Sequence, residues 1–156
     1  MLLVGQEQEA KHMTHGHRRS EMYHLEIIDH SVESINFSKI MEFIDGEKYQ
    51  WAIYILDVVP FQRGDNSYWK IIDCSDSEPN GYILCWKELL ATLRQTQQLI
   101  NGYIVGTTQT INLSKYKGKI LRDMQQIQDN GIYFLMQVDD GNLISVFTED
   151  EKIIHR

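Results

Sequence analysis

Three times in this sequence a stretch with helical spacing runs into Asn-Gly or Asp-Gly and is followed at once by a strand-like run. The junctions are Asp45-Gly46 before residues 51–56, Asn101-Gly102 before residues 103–105, and Asn130-Gly131 before residues 132–136. A glycine caps a helix C-terminus easily because no Cβ meets the turning backbone, so each pair is expected to stop a helix. That punctuation leaves few folds other than helices and strands alternating around one sheet. It supplies no chemistry of its own.

The segments between the stops can then be assigned. Residues 22–28 alternate as a strand, with Tyr23, Leu25 and Ile27 on one side. Phe37, Ile40, Met41 and Ile44 recur at offsets of zero, three, four and seven, which predicts a helix over 32–44. The run 51–56 is almost continuously apolar, as in a strand buried on both faces, and Pro60 ends it. Arg63-Gly64-Asp65-Asn66 is turn chemistry, so residues 68–73 are expected to return as the second strand of a long hairpin. Residues 76–81 read as a polar loop. Trp86, Leu89, Leu90 and Leu93 mark a second helix, with Ile100 closing its stripe.

Residues 103–105 begin another strand, which could extend to 110, and Gly106 within it signals a bulge or a close backbone approach. A third helix is predicted over 119–129. The strands 132–138 and 143–147 flank Asp139-Asp140-Gly141-Asn142, where Asp140-Gly141 is a strong hairpin signal. A final helix is expected over 149–155. The order β-α-β-β-α-β-α-β-β-α predicts an α+β domain: a mixed five- to six-stranded sheet with three to four helices packed on it. A chain of 156 residues is enough for one domain with its own core. Residues 1–21 form a polar, His-rich extension, residues 22–156 the single domain, and Met22 would serve as its beginning.

The formal charge of −7 lies wholly after Tyr23, because Lys11, Arg18 and Arg19 balance Glu7, Glu9 and Glu21. An acidic body repels phosphate backbones, which argues against nucleic acid as a partner and favours a basic protein, whose association it would steer. No apolar run approaches the ~18 residues of a membrane span, and no signal-like apolar segment opens the chain. Two cysteines, Cys74 and Cys85, form no framework and suit a reducing cytoplasm, so a cytoplasmic location is expected.

Sites with chemistry are weakly signalled. Residues 76–87 place oxygen donors at calcium-loop positions one, three and five, but Lys87 stands where a bidentate glutamate is needed. His12, His15 and His17 suit adventitious binding better than a built metal site, so neither metal nor cofactor is expected. Gly102 to Thr108 lacks the lysine of a phosphate loop. Neither cysteine has a signature of a catalytic nucleophile. Asp29, Asp57, Asp73 and Asp139 stand at or near expected strand ends and, with His24 or His30, could build an acid/base or metal-assisted hydrolase. Tyr49, Trp51, Tyr54, Phe61, Tyr68 and Trp69 crowd the expected long hairpin. Phe61, Tyr68 and Trp69, beside Asp65 at its loop end, are the expected exposed anchors of a binding surface.

Residues 22–28 and Tyr49-Gln50-Trp51 give the chain a loose resemblance to a small uncharacterised bacterial protein family, over most of residues 22–156. In general character it also resembles the immunity proteins of bacterial toxin systems, which are small, acidic, cytosolic and non-catalytic and neutralise a basic toxin domain. That resemblance implies a binding or inhibitory protein acting by occlusion. Its contacts would come from Phe61, Asp65, Tyr68, Trp69, Asp139 and Asp140, with no catalytic or metal-binding residue. The alternatives are the hydrolase and a structural homodimer joined through an edge strand such as residues 143–147.

Overall fold

The computed structural model describes residues 2–5, 21–28, 40–60, 66–109, 123–141 and 143–153. Seven strands form one sheet: β1 (Leu2–Gly5), β2 (Tyr23–Ile28), β3 (Gln50–Pro60), β4 (Tyr82–Leu84), β5 (Thr96–Thr107), β6 (Ile132–Asp139) and β7 (Leu143–Thr148), in the order β1-β2-β7-β6-β5-β3-β4. Among the described residues the helices with both ends described are α1 (Asn66–Ser77), α2 (Trp86–Arg94) and α3 (Met124–Asp129), with 3-10 turns at Gly46–Lys48 and Glu151–Ile153. Ile40 and Met41 are also helical, and the rest of the helix predicted over 32–44 up to residue 39 lies outside the described residues. The α+β class is as expected. Among the described residues the sheet is not mixed, however, since every pairing is antiparallel.

The reason for that difference lies in two segments. Residues 68–73, expected as the returning strand of a hairpin, belong to α1. Ile71, Ile72 and Ser75 fall at helical spacing, and both isoleucines pack on the main core. The neighbour of β3 is instead β5, which begins at Thr96 and so well before the helix–stop pattern suggests. After Leu93 the next two stripe positions are Thr96 and Gln97, so α2 has nothing apolar with which to continue and closes at Gln95. Asn101-Gly102 therefore lies inside a strand and stops no helix.

The other junctions divide in the same way. At Asn130-Gly131 the glycine has φ +73° and ends α3 as expected. Asp123 caps the start of that helix by accepting from the Gln125 and Gln126 amides at 2.9 and 3.3 Å, so α3 begins later than the predicted 119. At Asp45-Gly46 the chain does turn, but Gly46 has no left-handed φ. Its missing Cβ makes room for the Trp86 ring. Asp140 and Gly141, at φ 50° and 67°, make the β6–β7 hairpin turn as its sequence predicts.

The main core lies on one face, where Trp51, Ile53, Ile104, Phe134, Met136, Ile144 and Val146 meet Leu89 and Leu93 of α2 and Met41 and Ile44. Trp51 is its centre: the ring lies 5.2 Å from both Trp86 and Phe134, and its Nε1–H donates to the Gly46 carbonyl at 2.9 Å. Gly106 sits directly across from Trp51 and Phe134 and is crowded by both side chains, which is the close approach expected there. A smaller cluster on the opposite face joins Tyr54, Tyr103, Val105, Leu135 and Phe147 to Ile127 of α3. β7 lies between β2 and β6, so residues 143–147 offer no free edge for a homodimer. Cys74 and Cys85 are free thiols, the second at the N-cap of α2. No helix of the described residues is long and apolar enough to cross a membrane.

Candidate functional site

Asp57 of β3 and Asp139 and Asp140 at the end of β6 flank Asn101 of β5 at one end of the sheet. Asp57 lies opposite Asn101 across the β3–β5 ladder, beside a register irregularity where β5 carries one extra residue, Ile100. The Asn101 amide donates to Asp57 Oδ2 at 3.2 Å, while its Oδ1 accepts from the Asp140 backbone N–H at 3.2 Å. One residue along, the Gly141 N–H donates to the Ile100 carbonyl at 2.8 Å. One side chain on β5 thus ties the β6–β7 tip to β3.

The resulting corner bears three exposed carboxylates at one end of the sheet. Among the described residues none of them is paired with a cation, so their charge is directed outward. Asp139 and Asp140 are exposed at the end of β6 and in the turn after it, and Asp57 joins them. Asp73, expected at a strand end, is instead on α1. Among the described residues no group of three or more His, Cys, Asp and Glu side chains is placed to hold a metal ion.

The expected aromatic anchors fare differently. Phe61 and Asp65 lie outside the described residues. Tyr68 and Trp69 belong to α1 and not to a hairpin loop, and Trp69 is 44% exposed on that helix. Tyr49, Trp51 and Tyr54 are buried. They act in packing, and of the expected anchors Trp69 is the one whose side chain is described. His12, His15, His17, Asp29 and His30 also lie outside the described residues.

His24 faces away from the main core, in a different part of the sheet. Its ring stacks on Phe147 at 4.1 Å with an interplanar angle of 1°, and Nε2 lies 3.7 Å from Glu26 Oε1 without a hydrogen-bond partner among the described residues. His24 pairs with Phe147, whereas the hairpin tip meets β2 at Ile28, four residues on, a separation of roughly 13 Å along the strand. The histidine and the acidic corner thus do not converge into the acid/base site foreseen for a hydrolase.

Burial lowers the His24 pKa below its ordinary value, with Glu26 opposing. The folded state therefore prefers the neutral ring. Its contribution is complete above the unfolded-state value of ~6.5 and is lost as pH falls below it. Urea titrations at about pH 7 and about pH 5 should show a smaller stability loss for His24→Phe, which keeps the stack, than for the parent chain. Equal losses would place that acid sensitivity on other groups.

A shallow depression elsewhere on the same face is lined by Gln50, Ala52, Tyr54, Asn80, Ile83, Val105 and Thr107. It lies over Ala52, whose small side chain stands between Ile83 and Val105 in the cross-strand row.

Asn101 was missed by sequence reasoning because the Asn-Gly pair there mimics a helix stop. The available signal was the polar break at Thr96 and Gln97, which makes residue 101 a strand position. No family model matches the chain, and no curated protein or solved structure matches it either.

Proposed function

We propose that the protein is an acidic binding or inhibitory protein, of the general kind of an immunity protein, which occludes a basic partner through the Asp57, Asp139 and Asp140 corner. The observation that supports this reading is the Asn101 clasp: of three exposed carboxylates without cation partners among the described residues, that of Asp57 accepts from the Asn101 amide, and the turn that carries Asp139 and Asp140 is tied down through the Asp140 N–H. Holding them in place before association reduces the ordering cost of binding. The charge of −7 steers a basic partner toward the molecule, and exposed Trp69 on α1 supplies an aromatic anchor.

The test uses the full chain and its Asp57→Asn/Asp139→Asn/Asp140→Asn variant as bait in a lysate of the host. Basic proteins should be retained by the parent chain at low salt, released at high salt and lost with the triple variant. Equal retention by both baits would overturn the assignment of the corner. Retention indifferent to salt would remove electrostatic steering.

A further inference from the structure

The sequence holds three Asn-Gly pairs, at residues 80–81, 101–102 and 130–131, and the fold treats them unequally. Asn-Gly is the dipeptide most prone to spontaneous deamidation, since glycine presents no side chain to hinder attack by its own backbone nitrogen. We propose that Asn80 is a built-in deamidation site, and that the fold protects Asn101 and Asn130 from the same reaction.

The reaction needs the Gly nitrogen to reach the Asn Cγ, a matter of proximity and orientation within one chain. At Asn101 neither partner is available. The amide is held between Asp57 and the Asp140 N–H, and Gly102 is fixed in the sheet between Leu56 and Val138. At Asn130 the side-chain amide donates to the Gln126 carbonyl at 2.6 Å, which restrains Cγ. Asn80 is exposed in the turn before β4, and its side chain makes no hydrogen bond among the described residues. Gly81 follows it with φ +69°, and its N–H donates to the Glu78 carbonyl at 3.1 Å within the same turn, so opening that turn, and not the sheet, releases the nitrogen.

The Gly81 nitrogen attacks Asn80 Cγ and loses its proton to solvent, and the side-chain nitrogen leaves as ammonia, closing a succinimide. Water then opens either carbonyl of the ring to give aspartate or isoaspartate, with no change in oxidation state. Asn80 lines the depression over Ala52, so the product places a carboxylate on its rim. Isoaspartate also lengthens the backbone by one methylene immediately before β4.

Ageing the full chain at mildly alkaline pH, followed by peptide mapping with mass spectrometry, tests this. The Asn80 peptide should deamidate roughly tenfold or more faster than those containing Asn101 or Asn130. In denaturant the three rates should converge, because the dipeptides are chemically alike. Faster reaction at Asn101 or Asn130 in the folded chain, or a rate order unchanged by denaturant, would overturn the proposal. An Asn80→Gln chain should retain its folded circular-dichroism spectrum and lack the early-deamidating peptide; a surviving early product elsewhere would also overturn it.

Discussion

Gly46→Ala should lower the thermal midpoint by roughly 6–12 °C, the equivalent of about 3 kcal/mol in a domain of this size. The added Cβ would collide with Cδ2 and Cε3 of the Trp86 ring. That ring cannot readily withdraw, for it stacks on Trp51 at 5.2 Å, and Trp51 is fully buried and held to the Gly46 carbonyl through its indole N–H. Backbone, donor and neighbouring ring thus form a closed arrangement. Shortening Trp86 to Leu in the Gly46→Ala background should recover part of the loss, a coupling that a double-mutant cycle measures directly. A single variant within about 1 °C of the parent would show that the ring moves aside at little cost.

Gly46 also marks how far local sequence can determine a fold. Asp45-Gly46, Asn101-Gly102 and Asn130-Gly131 look alike in one dimension, yet only Gly131 uses the left-handed freedom that makes glycine a helix stop. Gly46 is needed because of Trp86, which is remote in sequence, and Gly102 is a strand residue crowded by the Leu99 side chain. Short-range signals succeeded where the controlling interaction is local. The β6–β7 hairpin at Asp140-Gly141, the apolar run of β3 and the strand β2 were each legible from their own residues.

They failed where tertiary pairing decided. Residues 68–73 carry both helical and strand-like patterns, and the choice went to α1 because β5 takes the adjacent edge of β3 while Ile71 and Ile72 cover the core. Likewise, Leu93 and Ile100 are spaced as on one helix, although they belong to α2 and β5. The candidate site was legible only in part for the same reason. Asp139 and Asp140 were visible as turn carboxylates, while their spatial neighbour Asp57 stands far earlier in the chain, on β3. The link between them runs through Asn101, whose partners no local pattern specifies.

The second large effect is expected in alkali, at Tyr49. Its hydroxyl donates to Glu149 Oε1 at 2.7 Å, and Lys48 Nζ lies 3.3 Å from the same oxygen and 4.9 Å above the tyrosine ring. Burial, then the hydrogen bond and charge of Glu149, hold the phenol protonated far above its ordinary range, with smaller contributions from Asp150 and Asp45. The folded pKa is raised, so this contribution to stability is complete below the unfolded value of about 10 and declines as pH rises beyond it. In that window the unfolded chain releases a proton that the native chain keeps, which costs about 1.4 kcal/mol per pH unit. Tyr49→Phe should lose about 1–2 kcal/mol near neutrality, where Glu149 forfeits a donor but keeps Lys48. Above about pH 10 its stability should fall less steeply than that of the parent chain, so that the two curves converge. Other lysines and tyrosines titrate in both proteins, and the difference between the slopes therefore isolates Tyr49. Parallel curves from urea unfolding at a series of alkaline pH values would mean that the phenol ionises in the folded state, and that the link between the start of β3 and the residue after β7 opens before the domain does.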